Sequence, residues 1–240
     1  VGVPESLNHI LEVKLTEAMT LPLSEGSKGS IGKNALQRAI EFSKMCDVIA
    51  LGPGLSLEQE TQGFVQEFVS SCEKTMVIDA DALNALSFTP DILKNAPSKR
   101  IITPHPGELA RLLSTSIYDI QQDRIGAVKA AAKEFRCITV LKGKETLVSD
   151  GDLLWVNPTG NPGMATGGSG DVLTGMIAAF LARGMKPEEA AIAGVYIHGL
   201  AGDLAALKKG QICLIASDII EFLPAAFKQL IVDEREMETL

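Results

Sequence analysis

The sequence is short of the residues that build metal sites and covalent cross-links. Its 240 residues include four cysteines, three histidines and one tryptophan. Cys46, Cys72, Cys137 and Cys213 stand far apart and form no CxxC pair, which excludes a zinc knuckle and a redox dithiol. They read as reduced, mostly buried, small apolar residues. His9, His105 and His198 have no metal-pair spacing, so no zinc centre is expected. Basic residues are outnumbered, 22 against 30 acidic, for a formal net charge of -8, and no lysine and arginine stripe stands out. A general nucleic-acid binder needs such a stripe to displace counterions from phosphates, so that class is set aside. Long apolar runs are missing too. The longest strongly apolar uncharged one, Val172 to Ala182, is too short to span a bilayer, and no signal peptide is visible. The expectation is a cytoplasmic protein with no membrane partner. A Walker phosphate loop is absent, since GxxxxGK followed by Ser or Thr occurs nowhere. An initiator methionine is also absent, and "VGVP" reads as the end of a strand without its beginning, so an upstream strand, turn and helix are expected to be missing.

What is present fits a globular enzyme. With 46% hydrophobic and 22% charged residues, the chain can bury one core, read as a single domain over residues 1–240. Short β-type runs, Asp47–Gly54, Thr75–Ala82, Arg100–Gly107 and Cys137–Gly143, alternate with helical patterns near Leu57–Ser71, Ala82–Leu86, Glu108–Leu113 and Arg124–Phe135. That order predicts a three-layer α/β/α fold, a mostly parallel central sheet with helices on both faces. "TLVSDGDLLWVN" predicts an antiparallel hairpin turning at Asp150-Gly151, followed only by helices over Val172–Leu181, Pro187–Leu207 and Ser217–Leu230. Residues 231–240 read as a charged tail that frays.

The segment Asn157 to Gly184, "NPTGNPGMATGGSGDVLTGMIAAFLARG", places Gly167, Gly168 and Gly170 before Asp171 and an apolar helix. Glycine builds helices poorly, so these residues serve the turn in front of one. Backbone N–H groups unobstructed by side chains, at the positive end of a helix dipole, suit a phosphate or a developing negative charge. An acid beside such a hole repels the anion, so Asp171 suits a chemical role: taking the proton of a substrate hydroxyl as it attacks phosphorus. The plainer alternative for Asp171 is a helix cap.

Together with "ITPHPGELARLL" (Ile102–Leu113), "DADALNAL" (Asp79–Leu86) and "LGPGL" (Leu51–Leu55), this segment resembles the ADP- or ATP-dependent NAD(P)H-hydrate dehydratase family of the ribokinase-like superfamily, from Val1 to about Leu230. Gly168-Ser169-Gly170-Asp171 is the superfamily's wider GxGD mark; "TPHPGE" and "NPGMATGGSGD" are more specific.

The resemblance implies a repair reaction in which hydrated NADH or NADPH loses its ring hydroxyl while a nucleotide is hydrolysed. It makes Asp171 the base, forms the anion hole from Gly168, Ser169 and Gly170, and adds Gly170 to the nucleotide site. It places Gly54 and His105 at the hydrated dinucleotide. The loop Lys142, Gly143, Lys144, Glu145 and Thr146 goes to the adenine nucleotide, ADP in preference to ATP, although Lys144 and Glu145 are bulkier and more charged than the family pattern. Glu108 is carried as a weaker candidate for water-mediated support of Mg2+. A homotetramer is implied, and an NAD(P)H-hydrate epimerase, often fused upstream in the family, is a functional partner.

Plainer readings stay beside these. His105 also fits a turn histidine bonded to backbone, Glu108 a dipole-favoured first-turn acid, Gly54 a tight turn, and the Lys142–Thr146 loop an ordinary charged hairpin. Asp79 is placed to orient catalytic or metal-bound groups, whereas Asp81 reads as a helix cap. His198 and Asp203, in "YIHGLAGDLAA", read as structural. Two rival functions remain: a ribokinase-like kinase of a vitamin-precursor alcohol, and a nucleotide-binding scaffold without catalysis.

Overall fold

The computed structural model describes residues 1–237, and side chains as far as residue 231. The first strand, β1 (Gly2–Pro4), is followed by α1 (Asn8–Lys14) and β2 (Leu21–Leu23), which pairs in parallel with β1 as a separate two-stranded sheet. After α2 (Leu36–Ser43) the main sheet begins. Its parallel strands are β3 (Val48–Leu51), β4 (Thr75–Ile78), β5 (Arg100–Ile102) and β6 (Ile138–Leu141), joined through α3 (Gln59–Ser71), α4 (Ala80–Leu86), α5 (Asp91–Lys94), α6 (Pro106–Leu112), α7 (Ile117–Gln122) and α8 (Arg124–Phe135). The predicted hairpin forms from β7 (Leu147–Ser149) and β8 (Leu154–Val156) and extends the same sheet in antiparallel sense. Three helices close the chain: α9 (Ser169–Ala182), α10 (Pro187–Lys209) and α11 (Ala216–Met237).

Strand order is the chain order, β3 through β8. Crossovers of one hand between successive neighbours deliver every connecting helix to the same face, and the core is divided accordingly. Met76, Ile78, Ile102 and Leu141 pack with Phe64, Leu83, Leu109 and Phe135 of the connecting helices. Their alternates Val77, Ile101, Ile138 and Val140 point the other way, onto Leu173, Ile177 and Val195 of α9 and α10. Arg100, 1% exposed, closes the far end of the sheet by donating to the carbonyls of Val69, Cys72 and Lys74, and burial pushes its guanidinium down to about 10.

Two sequence expectations need correction. Helix α11 does not stop near Leu230 but continues through Met237, because the glutamates, arginine and methionine there are good helix formers with no Gly or Pro to stop them; the remainder of the expected tail lies outside the described residues. One helix, α10, is long and apolar enough by composition to cross a membrane. It is packed between α9 and α11, with Ile197, Ala201 and Ala205 buried against Met176, Leu214 and Ile219.

Candidate active site

Four parallel strands end on one edge, and each end carries a polar or glycine cluster, as expected where loops feed helix N-termini. After β3 come Gly52 and Gly54. Gly52, at φ +135°, has no room for a side chain, since a Cβ would strike the Asp79 carbonyl; Gly54, at φ +69°, is exposed. After β4 comes Asp79, after β5 His105, and after β6 Lys142, whose N–H donates to Pro104 O at 2.9 Å.

Asp79 is the hub. Only 1% exposed, it accepts from Lys142 Nζ at 2.6 Å and from Thr174 Oγ1 of α9 at 2.9 Å, tying β4, β6 and α9 together. Lys142 is thus not a free loop lysine; its ammonium lies between Asp79 and Glu108 Oε2, which is 3.9 Å away. The cap reading of Asp81 is overturned. The extended backbone that an N-cap needs belongs to Asp79, and the Asp81 carboxylate instead accepts the Ser56 N–H at 2.8 Å, holding the Gly52–Gly54 turn against α4.

His105 is the N-cap of α6. Its Nδ1 accepts from Gly107 N at 3.0 Å and Glu108 N at 3.3 Å, while Glu108 Oε2 accepts the His105 N–H at 2.7 Å, a reciprocal capping box. An accepting Nδ1 assigns the ring proton to Nε2, 3.4 Å from Glu108 Oε1. The histidine is therefore bonded to backbone, yet half of its side chain stays exposed on the site edge. Glu108 is buried and turned toward these protein donors. Burial holds its carboxyl above the usual range, and Lys142 and the His105 N–H draw it back only in part. Among the described residues no group of three His, Cys, Asp or Glu side chains is placed to hold a metal ion. The donor set does not fit a protein-built magnesium site.

The Gly-rich turn lies over the Asp79–Lys142 pair. Gly168, left-handed at φ +85°, is the N-cap of α9, and a Cβ on Gly170 would stand 3.3 Å from Lys142 Nζ. The Ser169 N–H is taken by Thr166 O at 3.3 Å. The N–H groups of Gly168, Gly170 and Asp171 have no acceptor among the described residues. Asp171 is the third residue of the helix, so it is not the cap; its carboxylate is exposed and without a hydrogen-bond or ion-pair partner among the described residues. Among the described residues it is an unpaired carboxylate beside unpaired donors.

The nucleotide-loop candidates stand at the same edge. Gly143 at φ +138° and Glu145 at φ +53° bend the loop, and Gly143, Lys144 and Glu145 are exposed, so the bulky side chains of Lys144 and Glu145 are accommodated outward. Thr146 Oγ1 donates to Gly143 O at 3.0 Å. From below, Arg124 donates to the carbonyls of Lys144 and Leu141. Sequence reasoning missed this arginine, which sits in a helix that carries no motif.

His198 is buried on α10, its Nε2 3.0 Å from Ser169 O. Burial pushes its imidazole down to about 4 from 6.5, with the Ser169 bond opposing and Lys142 adding to the fall. In acid the unfolded chain then takes up a proton that the folded one refuses, so this residue's contribution makes stability fall as pH drops from 6.5 toward 4. Raised Glu108 acts in the opposite sense. In denaturant unfolding, His198→Gln is expected to remove about 2 kcal/mol of the stability lost between pH 7 and pH 5; an unchanged pH dependence would refute the shift.

The model of the NAD(P)H-hydrate dehydratase family matches residues 1–225. The chain belongs to the NAD(P)H-hydrate dehydratase family. A bifunctional NAD(P)H-hydrate repair enzyme of Moorella thermoacetica is 44% identical over 241 residues, taking in all of this chain and 45% of that protein. The chain therefore spans less than half the length of this bifunctional relative. The ADP-dependent (S)-NAD(P)H-hydrate dehydratase of Neisseria meningitidis serogroup B is 40% identical over 199 residues, 80% of this chain and 66% of that one. The ADP/ATP-dependent NAD(P)H-hydrate dehydratase of Bacillus subtilis, co-crystallized with ATP/Mg2+, superposes with a TM-score of 0.76 at 28% identity, over 94% of this chain and 76% of that structure. The three-layer architecture is ribokinase-like.

Proposed function

We propose that this chain carries out the nucleotide-dependent dehydration of hydrated NADH and NADPH, with ADP as the preferred phosphoryl donor. The observation that carries it is the exposed Asp171 carboxylate, unpartnered among the described residues, beside the Gly168 and Gly170 N–H groups, which find no acceptor there. Family membership supplies the substrate class, and the name of the Neisseria relative supports ADP.

In this reading Asp171 takes the proton of the ring hydroxyl. The freed oxygen attacks the terminal phosphorus of ADP, the bridging P–O bond breaks, and AMP leaves. Gly168 and Gly170 N–H groups stabilise the transferring phosphoryl group. Phosphate is a far better leaving group than hydroxide. The ring nitrogen lone pair expels it by breaking the C–O bond, and loss of a proton from the neighbouring ring carbon restores the reduced nicotinamide. Lys142 and the loop Gly143–Thr146 face the nucleotide; Gly54 and His105 face the dinucleotide. Magnesium accompanies the nucleotide as its counter-ion. We extend the proposal to a cytoplasmic homotetramer working beside an epimerase, the latter supported by the bifunctional relative.

One assay decides. With hydrated NADH and ADP the expected result is recovery of the reduced-nicotinamide absorbance, with AMP and inorganic phosphate formed in equal amounts. A stable phosphorylated product from a vitamin-precursor alcohol, with no absorbance recovery from hydrated NADH, would identify an ordinary kinase, and no nucleotide turnover with either substrate would identify a silent scaffold.

A further inference from the structure

We infer that His198 is a positioning residue: through its hydrogen bond to the Ser169 carbonyl it sets the plane of the Ser169–Gly170 peptide and so aims the Gly170 N–H into the anion hole. The inference rests on the reading of the Gly-rich turn given above. A trans peptide is planar, with its carbonyl and N–H pointing in opposite directions, and the chain contains no cis peptide bond among the described residues. Whatever holds Ser169 O therefore holds the Gly170 N–H as well. His198 Nε2 lies 3.0 Å from that oxygen and 3.4 Å from Ser169 Oγ, on an imidazole whose residue is 8% exposed. The ring sits where water has little access to compete for the carbonyl.

The reason a restraint is needed is local. Gly168 and Gly170 flank Ser169, and glycine gives the backbone freedom that the anion hole cannot tolerate. The Ser169 N–H is anchored by Thr166 O, which fixes the preceding peptide; the following one is held through the Ser169 carbonyl, by the first turn of α9 and by His198. The rest of α10 acts in the same direction. Thr159 Oγ1 donates to Tyr196 O at 2.8 Å, and the Asp203 carboxylate accepts from Gly160 N at 2.8 Å and Asn161 Nδ2 at 2.9 Å. Gly199 and Gly202 leave no space for a Cβ, which would meet Thr159 and Met164. The small-residue face of α10 is a seat for the loop that leads to the site, and His198 is where that seat reaches the anion hole.

The side chain of Gln places its amide nitrogen as many bonds from Cα as His Nε2, so His198→Gln keeps a donor, whereas His198→Leu removes it and His198→Asn falls short. With ADP and hydrated NADH, His198→Leu is expected to lower kcat by about 100- to 1,000-fold, the range set by loss of one anion-hole donor, with KM for the hydrate unchanged. His198→Gln is expected to recover kcat to within about threefold of the wild type. Independently of turnover, in protein labelled with nitrogen-15 glycine, the Gly170 amide resonance is expected to shift on titration with inorganic phosphate in the wild type and His198→Gln, and not in His198→Leu. Equal kcat in the wild type and His198→Leu, or a Gly170 amide that answers phosphate alike in both or in neither, overturns the inference. If His198→Leu does not fold, the same comparison is made between the Gln and Asn variants. A wild-type protein that dehydrates no hydrate defeats the functional proposal alone, and the amide titration still judges His198.

Discussion

Asp171→Asn is expected to lower kcat about 10³-fold, within the span attributed to a positioned general base, while the melting temperature and the affinity for ADP remain close to those of the wild type. The substitution keeps shape and removes only basicity. Nothing else in the described structure depends on this carboxylate: it is exposed, partners no residue, and is not the cap, since Gly168 fills that position. An acid in the first turn of α9 still interacts favourably with the helix dipole, a contribution of about 0.3–1 kcal/mol. The two roles therefore separate cleanly. A dipole partner alone predicts a small loss of stability and unchanged turnover; a base predicts unchanged stability and near-complete loss of turnover. Single-turnover measurement with ADP and hydrated NADH, beside thermal unfolding, reads both quantities. A kcat within tenfold of the wild type would remove Asp171 from the chemistry.

The candidate base was legible because its signal is local: a glycine cluster, an acid and an apolar helix in unbroken succession, with the unsatisfied N–H groups following from chain direction alone. The four parallel strands were legible for a similar reason, being short apolar runs rich in Val, Ile and Leu, three closed by glycine or proline and β4 by Asp79. Helices α1, α2, α5 and α7 and strand β2 were not: each is eight residues or fewer and takes its stability from packing rather than periodicity, whereas α4 and α6, equally short, were marked by the strand-end motifs that precede them. The pairings that organise the site were also hidden. Lys142 and Asp79 are 63 residues apart in sequence, and Ser169 and His198 29 apart. Their side chains could each be read in several ways until the sheet order and the seat on α10 placed them together. Asp81 shows the opposite failure, a sound local rule for caps overridden when the neighbouring residue adopted the extended backbone.

Asp79→Ala is expected to cost about 3–5 kcal/mol of stability, the range for removing one member of a buried ion pair. The mechanism is desolvation left uncompensated. Lys142 Nζ loses a carboxylate at 2.6 Å and keeps only Glu108 at 3.9 Å, while the buried Thr174 hydroxyl loses its acceptor on α9. Asp79→Asn retains an acceptor for Thr174 and should recover part of the loss. The informative comparison is Lys142→Met combined with Asp79→Leu, because a buried ion pair replaced by apolar groups of similar volume is often neutral. The double variant should then be more stable than Asp79→Ala, yet poor in turnover, since it no longer presents the cation that stands beside Gly170. Denaturant midpoints across the set measure the coupling. A cost below about 1 kcal/mol for Asp79→Ala, the level of an exposed surface pair, would mean that water already reaches this hub and that the α9 terminus is held on the sheet by packing alone.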